Sequence, residues 1–250
     1  FMKIKFLQKK PFYIFVIENF LDDFEYQLFD KSFPKEVGEK IKPGTGNKRR
    51  LNHSDELFKS LNEEKKVSIE ILEKKFNEKF CTDLIKKLKK ELFISRFGHL
   101  RYLYSIIRKP KIVNKQTKKN LLQKIFYSYF ERVFEFSFMY KGSFISPHTD
   151  KKSKLLSLML YFPSKNLENL DIGTTFYNSK IKNFNNNPLR TSIKENQSFF
   201  EENFDETITF PFSKKHLYCF IKSDLSWHAV KELDIPEGEV RRSININIAT

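Results

Sequence analysis

The sequence predicts an α+β chain with a mainly β core, a sandwich or jelly roll backed by N-terminal helices. Three observations carry this. From residue 133 onward, "VFEFSFMY", "LLSLMLYF", "TTFY", "HLYCFI" and "SININIA" are short β-rich runs separated by Gly, Pro, Asn and Lys. Earlier, Leu72, Phe76, Phe80, Leu84, Leu88 and Leu92 recur every four residues, an apolar stripe at helical spacing. Last, "RRSININIAT" alternates, with Ile244, Ile246 and Ile248 on one face and Arg241, Ser243, Asn245 and Asn247 on the other.

Taken in order, "FYIFVI" reads as a short apolar strand, and "ENFLDDFEYQLFDKSFP" as a helix opened near Asn19 and stopped by Pro34. Residues 36–54 are rich in Gly, Lys and Pro and read as loop. Residues 55–94 are helical, with Thr82 or Asp83 able to cap a second helix and split the run. A further helix is expected around 119–132. Between Asn178 and Phe210 a polar stretch with "NFNNNP" at 183–188 reads as a long loop, either over a site or a plain surface insertion. On this reading residues 1–131 are a mostly helical buttress, and residues 132–250 are the β core of the same structural domain.

The chain of 250 residues is 40% hydrophobic and has 28 Phe, which is enough to bury a core. Two cysteines, Cys81 and Cys219, make no disulfide framework, so a reducing, cytoplasmic setting is expected. The apolar run near the start is too short for a signal-peptide core, and nothing approaches a transmembrane span. The net charge of +15 admits an anionic partner. The basic clusters at 86–90 and 108–119 lack regularly interleaved aromatics, so charge alone is weak evidence for nucleic acid.

Of five histidines, two stand two residues before an aspartate. His53-Ser54-Asp55 precedes "ELFKSL", where Ser54 or Asp55 is better read as a helix N-cap. His148-Thr149-Asp150 lies between two strand-like runs, and in extended chain residues i and i+2 point the same way. An imidazole and a carboxylate can then meet at one point, with His228 of "SDLSWHAV" as the third ligand. Two histidines and one carboxylate leave coordination positions open, the facial set suited to Fe(II) in oxygenases, whereas a structural zinc site closes its shell. An arginine on the inner face of such a barrel needs an anion, and a dicarboxylate such as 2-oxoglutarate would serve.

These residues resemble the iron(II)/2-oxoglutarate-dependent dioxygenases, in particular their prolyl 4-hydroxylase-like branch. The resemblance covers roughly residues 132–250. It rests on Tyr140, His148 and Asp150, "LLSLMLYF", "DIGTTFY", His228, and Arg241 before Ser243. It implies a double-stranded β-helix, with Fe(II) on His148, Asp150 and His228. It further implies 2-oxoglutarate held by Arg241, assisted by Ser243 and Tyr140, with ascorbate as an accessory reductant. The implied reaction is hydroxylation of a small-molecule or peptidyl substrate, which the basic surface would allow to be anionic. A nucleic-acid demethylase on the same fold, or a non-catalytic metal-binding module, is the alternative. Arg241 and Arg242 compete for the anion, and Arg241 has an ordinary ion pair with Glu237 or Glu239 open to it. Tyr140 can equally be a core aromatic, and His228 a histidine packed beside Trp227. His99 and His216 read as structural.

Overall fold

The computed structural model describes residues 2–34, 48–52, 63–113, 126–181 and 193–250. Its strands are β1 (Lys5–Gln8), β2 (Ile14–Ile17), β3 (Arg49–Asn52), β4 (Lys109–Ile112), β5 (Tyr127–Met139) and β6 (Ile145–His148). They continue with β7 (Lys154–Phe162), β8 (Thr175–Ser179), β9 (Phe204–Thr209), β10 (Leu217–Ile221), β11 (Trp227–Val230) and β12 (Arg241–Ala249). The larger sheet runs β1-β2-β10-β7-β12-β5-β3, with β4 parallel to the start of β5. The smaller runs β6-β11-β8-β9. From β5 to β12 the chain passes back and forth between the two sheets, with β8 and β9 paired within the smaller one. This is a double-stranded β-helix, a jelly roll.

The outer face of the larger sheet carries the helices: α1 (Asp23–Lys31), α2 (Glu63–Lys75), α3 (Glu78–Lys87) and α4 (Lys89–Ile107), the last interrupted at Gly98. Ile244, Ile246 and Ile248 are fully buried in one cluster with Leu72, Phe76 and Leu84. Each such side chain contributes about 1.5–3 kcal/mol. A period of four drifts about 40° per step on a 3.6-residue helix. The chain breaks at Phe76 and Leu88, between helices, and so keeps the stripe on the sheet. A second cluster fills the space between the sheets, built on Met139, Met159, Tyr161, Phe176, Phe210 and Phe220.

Several local expectations are corrected. The helix expected over 119–132 is strand from Tyr127 onward, because aromatic and β-branched residues there pair with β4 and β12; 119–125 lie outside the described residues. Helix α1 opens at Asp22, not Asn19: Asp22 and Glu25 form a reciprocal capping box. The second helix is capped by Asn77, whose side chain accepts from Phe80 N at 2.9 Å, while Thr82 sits inside α3. The stretch 178–210 contains a helix, α5 (Gln197–Asn203), and β9; residues 183–188 fall outside the described residues. So do His53 and Asp55. The N-terminal half supplies strands to the larger sheet as well as helices. Among the described residues no helix is long and apolar enough to cross a membrane. Both cysteines are free and buried.

Candidate metal centre

Three candidate ligands come from β6, β11 and the segment just after β6. β6 and β11 are antiparallel neighbours, and His148 and His228 are Cα partners across them. The register slips between that pair and Ile145↔Val230, so two residues of β6, Ser146 and Pro147, oppose Ala229. Such a bulge re-aims side chains, and it gives Pro147 a place where no ladder hydrogen bond is lost. On β11, Trp227 and Ala229 pack in a separate outer cluster, while Val230 faces the core between the sheets. His228 thus turns its back on Trp227 and lies beside Phe220, with ring centroids 4.7 Å apart. Asp150 follows the end of β6.

His148, Asp150 and His228 each offer a ligand atom, and these atoms lie within 4.8 Å of one another. One ion is within reach of all three through small side-chain rotations. Both histidines are oriented alike. His148 Nδ1 is 2.8 Å from Ser146 O, and His228 Nδ1 is 2.9 Å from Ser226 O. A carbonyl only accepts, so each Nδ1 carries the proton and each Nε2 keeps its lone pair. Burial lowers the pKa of both imidazoles, that of His228 to about 3, which keeps them in the ligating form. Asp150 accepts from Lys154 Nζ at 2.6 Å and from Ser157 Oγ at 2.9 Å. Burial opposes its charge, yet the Lys154 ammonium, by its charge and its hydrogen bond, favours the carboxylate and lowers the pKa. A neutral, neutral and anionic donor set with open positions fits a non-haem Fe(II) ion.

The triad opens onto a cavity of about 130 Å³ whose walls include Lys48, Glu135, Ser157, Asn245 and Asn247. That is near the ~150 Å³ of a cavity known to hold benzene. Beyond it, Arg241 is 2% exposed and faces inward. Its Nε donates to Ile172 O at 2.5 Å, and its guanidinium lies 5.2 Å from the Tyr161 ring and 5.3 Å from that of Phe212. Among the described residues no carboxylate pairs with it. Glu239 is taken by Ser164 and Asn166, at 2.6 and 2.7 Å. Arg242 points the other way, bonding Asp30 at 2.6 Å over the Phe33 ring. Ser243 is buried on the same inward face as Arg241, in register with Tyr161 and Ser137.

Tyr140 is not brought to this point. It packs against the helix-side cluster, one residue out of phase with inward Met139. The tyrosine that meets Arg241 is Tyr161, whose hydroxyl is 3.1 Å from Thr174 Oγ1 and accepts from Thr174 N at 3.0 Å. Tyr161 was legible as an alternate position of "LLSLMLYF", in phase with Ser157. Lys48 and Glu135 also line the cavity, and no motif marks either in the sequence. His216 accepts from Asn19 N at 3.1 Å, a structural bond, and His99 is exposed on α4.

No protein-family model matches the sequence, and no curated protein matches it. Some solved structures resemble it over most of its length. A Pseudomonas putida prolyl-4-hydroxylase is 10% identical over 94% of this chain and 90% of its own, with a TM-score of 0.41. A Trichoplax adhaerens prolyl hydroxylase, in complex with a peptide of the hypoxia inducible factor oxygen degradation domain, is 12% identical over 94% of this chain and 82% of its own, with a TM-score of 0.47. HygX from Streptomyces hygroscopicus, with nickel and 2-oxoglutarate bound, gives 12%, 94%, 82% and 0.47. At these identities and scores the likeness carries no argument; the fold comes from the strand pairing and the chemistry from the residues of the site.

Proposed function

We propose that this chain is an Fe(II)- and 2-oxoglutarate-dependent oxygenase that hydroxylates a C–H bond of a small-molecule or peptidyl substrate. The observation that carries the reading is the convergence of His148, Asp150 and His228, with both Nδ1 protons already donated to backbone carbonyls. When bound, Fe(II) and 2-oxoglutarate supply the oxidation: with dioxygen, the co-substrate becomes succinate and carbon dioxide while the substrate C–H becomes C–OH.

The chain's own part is to bind, orient and shield. His148, Asp150 and His228 hold the metal on one side and leave the other side to exchangeable ligands. Ser157 and Lys154 fix the Asp150 carboxylate. Arg241, a buried cation without a carboxylate among the described residues, takes the far carboxylate of the co-substrate, with Ser243 on the same inward row. Tyr161 and Phe212 flank the guanidinium and keep water from it. Met159, Val230 and Phe220 make the cavity wall apolar around these few polar groups.

Turnover tests this. Protein supplied with Fe(II), 2-oxoglutarate and oxygen should release succinate, and His148→Ala should not. Succinate release that is absent, or unaffected by His148→Ala, would refute the reading.

A further inference from the structure

The wall of the metal cavity holds a cation that the reaction outlined above does not use. Lys48 immediately precedes β3, the strand that edges the larger sheet beside β5. Its side chain is buried, the residue being 7% exposed, and it lines the same cavity as His148, Asp150 and His228. Buried lysines are rare unless they are paired and hydrogen-bonded. Here the pairing is incomplete. Lys48 Nζ stands 3.6 Å from Glu135 Oε1, too long for a hydrogen bond. The same oxygen accepts from Asn245 Nδ2 at 3.3 Å, and the other Glu135 oxygen is 3.9 Å from Arg50 Nη1. One carboxylate is shared by two cations and an amide, so the group keeps about one positive charge, and its buried member faces the cavity.

We propose that Lys48 is a specificity-determining residue that binds an oxyanion of the primary substrate, a carboxylate or a phosphate, beside the metal. This rests on the oxygenase reading of the site. The co-substrate has its own cation in Arg241, between Tyr161 and Phe212. Lys48 enters instead from the β3 side of the larger sheet, where the side chain of Arg50 is half exposed. Glu135 holds the ammonium in place until the oxyanion displaces it, as a preorganised and partly satisfied cation.

The test uses Mn(II)-loaded protein saturated with 2-oxoglutarate, which binds without turnover. [13C]Acetate and inorganic phosphate are titrated separately, and the paramagnetic relaxation of their 13C and 31P nuclei is read. Wild type should show saturable relaxation for at least one of the two, and which one saturates distinguishes carboxylate from phosphate. Lys48→Met should weaken that site about tenfold or more, Lys48→Arg should restore much of it, and Glu135→Gln should tighten it. A second arm reads the Lys48 Nζ resonance in metal-free, [15N]lysine-labelled protein, assigned by its loss in Lys48→Met. Failure to bind Mn(II) would sink the oxygenase reading while leaving this arm to decide on Lys48. No saturable site in either arm, or a site untouched by Lys48→Met, overturns the proposal. So does a Lys48→Met protein that loses 2-oxoglutarate affinity instead.

Discussion

His148 and His228 are direct partners across β6 and β11, with their ring centroids 4.3 Å apart. The spacing of these two candidate ligands is therefore set by a strand pair and not by a loop. Adjacent antiparallel residues on one face come within about 4.5–5.5 Å at Cβ, which suits two ligands of one ion. The 79 residues between them in sequence are spanned by the β-helix.

Because Asp150 is oriented by Ser157, removal of that hydroxyl should weaken the metal without removing a ligand. Ser157→Ala is expected to lower Mn(II) affinity about 10-fold or more, within the ~10–100-fold range for groups that orient ligands. Asp150→Ala should reduce it further. Competition with a fluorescent chelator reads both, and an unchanged Ser157→Ala affinity would deny the serine this role.

The two neighbouring arginines should separate cleanly. Arg241→Ala is expected to raise the apparent constant for 2-oxoglutarate by one to two orders of magnitude, about the 1.5–3 kcal/mol of a charged hydrogen bond. Arg242→Ala should leave it unchanged and instead lower stability by about 0.2–1 kcal/mol through loss of its half-exposed pair with Asp30. Steady-state kinetics and denaturant unfolding on both variants check this pair of outcomes.

Gly173 allows a close crossing. A Cβ there would stand 1.9 Å from Phe210 O, a backbone atom that cannot step aside, since Phe210 N is bonded to Thr174 O at 3.0 Å. Gly173→Ala should cost at least the ~1–3 kcal/mol of an overpacked core. Because Thr174 anchors Tyr161, the variant should also bind 2-oxoglutarate more weakly. Thermal unfolding with calorimetry of binding would show either loss missing.

His216 accepts a hydrogen bond from Asn19 N–H at Nδ1, which requires a lone pair there and so a neutral ring in the folded form, and burial lowers its pKa. The unfolded chain takes up a proton from solvent near pH 6.5, the folded chain only lower. The unfolded state thus binds more protons below pH 6.5, and stability falls as pH drops through that window. Asn at this position keeps an acceptor and does not titrate. Wild type should therefore lose stability relative to His216→Asn between pH 7.5 and 5, and parallel curves would contradict the assignment.

Much of this site could be read from the sequence, and the reasons differ residue by residue. The His148–Asp150 spacing and the strict alternation of β12 are period-two signals, and the structure keeps both in phase. The third ligand's partner strand was not legible, because β6 is four residues long and contains Pro147 in a bulge. Tyr140 looked equivalent to its neighbours until the phase of β5 was known; a shift of one residue exchanges faces. Lys48 and β3 lie in "NKRRLN", whose composition signals loop, and only the edge of β5 makes it a strand. Asn77 is hard to see as a cap in the sequence because the four-residue stripe continues across it from Phe76 to Phe80 without a gap.

The triad and the inward arginine together should form a metal-dependent site for 2-oxoglutarate, and calorimetry of that acid tests this without the primary substrate. Mn(II)-loaded wild type should bind 2-oxoglutarate, metal-free protein should bind it at least tenfold more weakly, and His228→Ala should behave as metal-free protein does. Binding that is equal with and without metal, or that survives His228→Ala unchanged, would contradict the account.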